Sequence, residues 1–247
     1  MDTIDYAIHL KLPYIKHHYQ KLLDEAEHLN LSYAEFINLY LSREYDLRRN
    51  NGIKTRLRQA KFPVKKHLED FDKSKYGREY NDKFKELERL EFIDRSENVI
   101  LIGTPGSGKT HYSIALAIKA ITKGKSVLFV SVPNLVIELK EAMSKHQLNA
   151  YKRKFEKYDV VVLDELGYVS FDKSGSELLF NLVSNRNDKG SIIITSNLTF
   201  ERWSEVFNDT VLTGALVDRI VHKAHILDIS RDTSYRFEET IAWLKKD

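Results

Sequence analysis

The feature that most constrains the fold is an eight-residue loop, which reads Gly103-Thr104-Pro105-Gly106-Ser107-Gly108-Lys109-Thr110. It matches the pattern G-x-x-x-x-G-K-[ST], with an apolar run at 98–102 before it and a helical pattern at 111–120 after it. The glycines let the backbone curl so that its N–H groups point at an anion, and the helix adds the positive end of its dipole. The sequence therefore predicts a phosphate-binding loop between a strand and a helix.

Two side chains of this loop have predicted tasks of their own. The Lys109 side chain can reach the β- and γ-phosphates of a nucleotide, and the Thr110 hydroxyl can bind Mg²⁺. The backbone supplies the remaining donors, so the whole loop belongs to the predicted site. The predicted nucleotide-binding residues are Gly103, Thr104, Pro105, Gly106, Ser107, Gly108, Lys109, Thr110 and His111.

A pair of carboxylates, Asp164-Glu165, ends the apolar run at 160–163. In nucleotide hydrolases such a strand supplies one carboxylate to the magnesium shell, mainly through water, and another that polarises the attacking water. A solvated strand end can also carry two acids, but the phosphate loop upstream favours the catalytic interpretation. We predict that Asp164 joins Thr110 at the metal and that Glu165 is the catalytic base.

Two further residues are candidates for catalysis. Asn197 follows the next apolar run, 191–196, and can contact the γ-phosphate or the attacking water; the alternative is an N-cap for the segment that follows. Arg219 lies in a helical run and can neutralise charge on a transferring phosphoryl group. Taken alone, Arg219 is better explained by a surface ion pair with Asp218 or another acid.

The alternation of strands and helices predicts the fold class, an α/β P-loop NTPase. Apolar runs at 99–102, 126–131, 159–164, 191–196 and 225–229 are separated by helical patterns, which is typical of a parallel sheet covered on both faces. Residues 1–68 are predicted to form a small all-α domain, and residues 69–247 the nucleotide-binding domain. A capping box at Ser32 and Glu35 starts a helix that we expect to end near Asn51-Gly52.

Composition excludes several classes of protein. The chain has no cysteine, so disulfides and cysteine-based zinc sites are excluded. No apolar run approaches membrane-spanning length, and the acidic N-terminus lacks the layout of a signal peptide. We therefore expect a cytoplasmic protein with no membrane partner.

A basic stretch lies at 47–68, where no acidic residue occurs. This asymmetry favours an anionic partner such as a nucleic-acid backbone, although a solvated helix face is the alternative. Residues 151–158 also interleave basic and aromatic side chains, a pattern that fits nucleic-acid stacking and an amphipathic surface helix equally well. The candidate DNA contacts in the basic stretch are Arg48, Arg49, Lys54, Arg56, Arg58, Lys61, Lys65 and Lys66.

Taken together, these motifs resemble the IstB-type transposition helper ATPases, a group of AAA+ ATPases related to DnaC-type helicase loaders. The similarity covers roughly residues 62–237. The phosphate loop and the acidic pair are shared by many ATPases, whereas the runs at 203–209 and 218–220 are more selective for this family. The residues that carry the resemblance are 164–168, 179–182, 195–197, 203–209 and 218–220.

The resemblance implies an ATPase that uses ATP and Mg²⁺, binds double-stranded DNA and cooperates with a DDE transposase of the same element. It implies a homo-oligomer, either a ring or a helical AAA+ assembly. Asn197 corresponds to the first sensor, and Arg219 to an arginine finger that completes a neighbour's ATP site. A helicase loader is the alternative function, and a scaffold that hardly hydrolyses ATP is disfavoured by the intact acidic pair.

Two more expectations come from the resemblance. Residues 134–157 occupy the place of an extra DNA-facing helix, which makes Lys140, Lys145, Lys152 and Arg153 candidate DNA contacts. The stretch after Ile229 is too short for a full AAA+ lid, so we expect a reduced or absent C-terminal lid. Residues 234–236 resemble a family signature to which we assign no role.

Overall fold

A computed structural model describes residues 2–186 and 188–230 of the chain. The described residues divide into two compact units between Thr55 and Arg56. The expected domain division at residue 68 remains a prediction. The expected reduced lid and the signature around Arg236 lie outside the described residues. Within the described ranges, no helix is both long and apolar enough to cross a bilayer.

The first unit is helical, as the sequence predicts. Helix α1 spans Thr3–His9, α2 spans Pro13–His28, and α3 begins at Tyr33. A small core of Ala7, Ile15 and Leu22 holds the unit together.

The N-terminus of α2 receives an unusual cap in this unit. The Glu44 carboxylate is buried and accepts hydrogen bonds from the backbone N–H groups of Tyr14 at 2.8 Å and Ile15 at 3.4 Å. This carboxylate satisfies the free donors at the start of the helix, although it lies about thirty residues further along the chain.

The predicted end of the long helix at Asn51-Gly52 is wrong, because α3 runs from Tyr33 to Gln59. A glycine inside a helix costs only about 1 kcal/mol relative to alanine, and the residues that follow include several good helix formers. The helix ends instead just before Lys61, which adopts a left-handed backbone conformation with φ of 59°. Arg56 and Arg58 consequently lie in its last turn.

A five-stranded parallel sheet forms the centre of the second unit. The strands are β1 Asn98–Ile102, β2 Val127–Ser131, β3 Val160–Leu166, β4 Ser191–Ser196 and β5 Ala224–Asp228. Their order is β2-β3-β4-β1-β5, and every neighbouring pair is parallel. The helices of this unit are α4 Arg78–Glu88, α5 Glu91–Asp94, α6 Lys109–Thr122, α7 Val132–Ser144, α8 Leu148–Glu156, α9 Lys173–Ser184, α10 Ser204–Phe207 and α11 Thr210–Val221.

The topology of the sheet determines where a ligand can bind. All strands point the same way, so the loops that follow β1, β3 and β4 meet at one edge. A register shift between Leu163 and Leu166 interrupts the pairing of β3 with β4 close to this edge. This irregularity lies at the two carboxylates that end β3, and it therefore shapes the candidate site.

The residues that carry the family resemblance include several with a structural task. Trp203 is fully buried, and its indole N–H donates to the Ser196 hydroxyl and the Leu198 carbonyl, both at 3.2 Å. Asp209 caps α11 by accepting a hydrogen bond from the Leu212 N–H at 2.9 Å. These contacts fix the start of the helix that carries Arg219.

Candidate nucleotide site

The phosphate loop adopts a backbone conformation that favours glycine at two positions. Gly106 and Gly108 have φ values of 79° and 91°, in the left-handed region. A Cβ atom on Gly108 would lie 2.8 Å from the Tyr76 hydroxyl and 2.9 Å from the Phe71 ring. Gly108 also precedes the first turn of α6, where no side chain caps the helix. Glycine has no side chain that could cap this turn, so the backbone N–H groups at the start of the helix suit an anion.

Two side chains of the loop fit an anionic ligand. The Lys109 ammonium is buried and donates to the carbonyl oxygens of Gly103 at 2.6 Å and Thr104 at 2.9 Å, so it is held at the loop. The Ser107 hydroxyl is buried and has no hydrogen-bond partner in the part of the chain that the structure describes. A buried donor of this kind is costly unless a ligand or water satisfies it, which fits a phosphate oxygen.

The predicted metal residues lie together. The Thr110 hydroxyl is 2.9 Å from Oδ1 of Asp164, whose side chain is buried behind the loop. Burial raises the pKa of the Asp164 carboxyl, and hydrogen bonds from Thr195 and Thr110 and the charge of Lys109 act against that rise. A hydroxyl and one carboxylate are a set that suits Mg²⁺, which keeps several waters and takes further oxygens from phosphates. Within residues 2–186 and 188–230, no cluster of three metal-ligating side chains offers an alternative.

Glu165 points into the same region from a strained backbone. Its φ of 65° lies in the left-handed region, which costs a non-glycine residue about 1–3 kcal/mol. Its N–H donates to the Thr195 hydroxyl at 3.0 Å, and its side chain is exposed and lines the cleft. Glu165 is therefore exposed in the cleft, whereas the neighbouring Asp164 is buried.

Thr195 is a site residue that the sequence analysis missed. Its hydroxyl donates to Asp164 Oδ1 at 2.6 Å while it accepts the Glu165 N–H, so one side chain fixes both members of the acidic pair. It is buried and lines the cleft. The available signal was its place near the end of β4, one strand beside the acidic pair.

Asn197 takes a different position from the one expected of an N-cap. The short helical turn that follows begins after Thr199, so the capping alternative is wrong. The Asn197 amide oxygen is buried without a hydrogen-bond partner among the described residues, and a Cβ on Gly167 would lie 2.7 Å from it. Asn197 is thus next to the turn that follows Glu165, but it does not line the cleft.

Arg219 is exposed on α11 and does not line the cleft. Its guanidinium carbon lies 4.9 Å from the centre of the Phe180 ring, a cation–π contact that holds the side chain at the surface. The alternative of an ion pair with Asp218 is not observed in the described part of the chain.

The cleft has a volume of about 460 Å³, within the size range of small-ligand sites. It lies between the phosphate loop and a preceding segment of the same unit. Two predicted DNA contacts, Lys65 and Lys66, are among its lining residues. The lining comprises Val64, Lys65, Lys66, Asp70, Phe71, Gly106, Gly108, Lys109, Thr110, His111, Ile114, Glu165, Tyr168 and Thr195.

The other predicted DNA contacts fall into two groups. Several are already paired with acids: Arg48 with Glu44, Lys61 with Glu138, Lys140 with Asp172 and Lys145 with Glu141. Arg49, Lys54, Arg58 and Arg153 are exposed, while Arg56 and Lys152 are partly buried.

The interleaved aromatics at 151–158 face inward. Phe155 is buried in the core, and Tyr151 and Tyr158 pack against it. The Tyr151 hydroxyl donates to Glu138 at 2.6 Å. These rings are therefore committed to packing, which favours the amphipathic-helix interpretation of this segment over base stacking. Residues 134–157, the expected place of a DNA-facing helix, contain most of α7 and all of α8.

A family model described as IstB-like ATP binding protein matches residues 6–242 of the chain. The chain belongs to this family. The resemblance drawn from the motifs is thereby confirmed. The insertion sequence IS21 ATP-binding protein of Pseudomonas aeruginosa is 39% identical over 230 residues, which cover 93% of this chain and 86% of that protein. The corresponding IS5376 protein of Geobacillus stearothermophilus is 33% identical over 95% of this chain and 93% of its own length.

Solved structures agree on the fold of this IstB-like chain. The crystal structure of the DnaC helicase loader superposes with a TM-score of 0.55 at 21% identity, over 66% of this chain and 95% of the loader. At this identity the likeness concerns the fold alone. Together with the parallel sheet and its flanking helices, it confirms the predicted fold class, an α/β AAA+ P-loop NTPase.

Proposed function

We propose that this chain is an ATPase that regulates insertion-sequence transposition, assembles on double-stranded DNA and cooperates with a DDE transposase of the same element. The observation that carries the ATPase part is the convergence of Thr110, Asp164, Glu165 and Thr195 beside the phosphate loop. The transposition part rests on the relatives, which are ATP-binding proteins of insertion sequences.

The roles within the site follow from this geometry. The loop N–H groups and Lys109 would bind the phosphates, and Thr110 with Asp164 would hold Mg²⁺, which neutralises charge on the phosphates when bound. Glu165 accepts a proton from the attacking water, because its carboxylate is exposed in the cleft. Thr195 would hold the Asp164 carboxylate and the backbone of Glu165 in place. Asn197 would act as the first sensor from its place beside the Gly167 turn.

Arg219 would complete the ATP site of a neighbouring subunit. Its exposure on α11 and its absence from the lining of its own cleft support a role in trans, within a ring or helical homo-oligomer. The cation–π contact with Phe180 would orient the guanidinium before assembly.

DNA binding is assigned to the basic surfaces, mainly through phosphate contacts. In the first unit the candidates are Arg48, Arg49 and Lys54, and in the second unit Arg56, Arg58 and Lys61, with Lys140, Lys145, Lys152 and Arg153 on α7, α8 and the turn between them. Exposed residues without an acidic partner are the strongest candidates, because a paired lysine must give up its ion pair to bind a phosphate.

The ATPase proposal is tested by two substitutions in the full-length chain. Lys109→Ala should reduce ATP binding to background, because it removes the cation of the loop. Glu165→Gln should bind ATP with Mg²⁺ as the parent does but lose turnover, because the amide cannot accept the proton. Equilibrium nucleotide binding and phosphate release, with and without duplex DNA, measure both effects. Parental turnover in Glu165→Gln would show that the base is another residue.

A replicative helicase loader is the alternative function. It is supported only by the shared fold with the DnaC loader, whereas the relatives from insertion sequences are similar in sequence over almost the whole chain. Pull-down against purified transposase and replicative helicase separates the two functions. Capture of the helicase alone would favour the loader.

A further inference from the structure

Two lysines of the basic stretch line the nucleotide cleft. Lys65 and Lys66 share this cleft with Lys109 and Thr110, although the sequence groups them with candidate DNA contacts. Lys65 is exposed and Lys66 is partly buried, so both ammonium groups can reach solvent within the cleft. Their position in the cleft makes the nucleotide, as well as DNA, a candidate anion for these two lysines.

The segment that carries these lysines is fixed to the sheet at its beginning. The carbonyl of Ala60 accepts a hydrogen bond from the N–H of Phe129, a residue of β2, at 2.9 Å. The Phe62 ring lies 5.9 Å from the Phe129 ring. Ala60 is fully buried, so this attachment is part of the core of the second unit.

The same segment is fixed to the phosphate loop at its end. The His67 carbonyl is 3.1 Å from Nε2 of His111, the residue after the loop motif. The rings of Phe71 and Tyr76 are stacked, with their centroids 5.3 Å apart. The Tyr76 hydroxyl donates a hydrogen bond of 2.5 Å to the Ser107 carbonyl. Residues 60–71 therefore form a strap between β2 and the phosphate loop, with Lys65 and Lys66 between its two attachments.

The charges around the strap distinguish these lysines from their neighbours. Lys61 is paired with Glu138, whereas Lys65 and Lys66 form no ion pair within the described ranges. The lining of the cleft also includes Asp70 and Glu165, so it carries both positive and negative side chains. A polyphosphate entering the cleft brings several negative charges, and a single loop lysine meets only part of them.

We propose that Lys65 and Lys66 bind the polyphosphate of the nucleotide and do not contact DNA. The inference rests on the proposed ATP site and adds two residues to it. It also divides the basic stretch, because its last two lysines then serve the nucleotide and the arginines before them remain available to DNA. Nucleotide would in turn hold the strap against the phosphate loop.

The test compares three double substitutions in the full-length chain. Lys65→Ala with Lys66→Ala should weaken binding of a fluorescent ATP analogue by about tenfold, with a smaller loss for the ADP analogue, since two exposed charges are removed from the cleft. Lys83→Ala with Lys85→Ala removes the same charge from α4, whose lysines do not line the cleft, and should leave ATP affinity at the parental value. Lys65→Arg with Lys66→Arg should retain most of the affinity.

A second measurement distinguishes the two anions. Without nucleotide, the salt dependence of duplex DNA binding should be the same for Lys65→Ala/Lys66→Ala and for the parent. Parental ATP affinity together with a reduced salt slope for DNA would overturn the inference while leaving the ATP site intact, provided that Lys109→Ala loses ATP binding. If Lys109→Ala kept parental affinity, the ATP site itself would be misplaced and the inference would fail with it. Glutamine substitutions, which keep the side-chain stems, repeat the measurement if the alanine variant unfolds.

Discussion

The sheet edge around Asp164 and the basic stretch at 47–68 both stand out in the sequence, but they differ in how firmly their residues are held. At the sheet edge, hydrogen bonds hold the side chains of Thr110 and Thr195 and the backbone N–H of Glu165 in defined positions. In the basic stretch, side chains are mostly exposed and have separate surroundings.

This difference shows what each kind of sequence pattern determines. A glycine loop and a strand end specify backbone geometry, and geometry brings distant residues to one place. A run of positive charge specifies only composition. Within one run, Arg48 bonds to the Glu44 cap, Lys61 pairs with Glu138, and Lys65 with Lys66 lines the cleft. The residues of this run therefore have different partners, which their shared charge does not reveal.

Arg219 offers the largest test of this comparison, because it is as exposed as the basic stretch yet is expected to act in catalysis. Arg219→Ala should leave ATP binding nearly unchanged and lower hydrolysis by the assembled protein by about 10³-fold, the scale of an arginine finger. Phosphate release at concentrations that permit assembly measures the loss. A mixture of Arg219→Ala with Lys109→Ala should recover activity, because an intact ATP site can then meet an intact arginine from a neighbour. Mixtures that stay inactive would contradict a shared site.

Thr195 tests whether a residue identified only from its hydrogen bonds matters as much as a motif residue. Thr195→Val removes the hydroxyl that bonds to the Asp164 carboxylate and to the Glu165 N–H, and it should lower turnover by about 10–100-fold, with ATP affinity changed far less. Thr195→Ser restores the hydroxyl and should recover most of the turnover. Steady-state hydrolysis with direct nucleotide binding separates the two effects. Equal turnover in the valine variant and the parent would show that the contact is incidental.

The sequence was sufficient for the fold class and for the juxtaposition of Thr110 with Asp164, because both depend on local patterns. The strands lie close to their predicted positions, and Thr110 and Asp164 meet as expected. The sequence could not identify Thr195, because its contacts depend on the register of β4 against β3 and on the register shift between Leu163 and Leu166. It also ended α3 too early, because the favourable helical context of the residues after Gly52 outweighs the modest cost of one glycine.

Arg56 and Arg58 provide the smallest and most specific test, since they are what remains of the basic stretch in the second unit after Lys61, Lys65 and Lys66 are accounted for. Both lie in the last turn of α3, and within the described residues neither forms an ion pair. Replacing both with alanine should weaken binding to unrelated duplexes about equally. It should also reduce the salt slope by about two, because each arginine that no longer neutralises a phosphate lowers the slope by about one unit.

Titration of labelled duplexes over a series of salt concentrations gives this slope. Lys83→Ala with Lys85→Ala is the matched control, because it removes the same charge from α4 and should leave the slope at its parental value. DNA stimulation of hydrolysis should fall with DNA affinity in the arginine variant. A changed preference among sequences would instead indicate base contacts, and an unchanged slope would make these arginines a solvated helix end or a surface for the transposase. In the last case, the nucleotide would be the only anion that this part of the basic stretch binds.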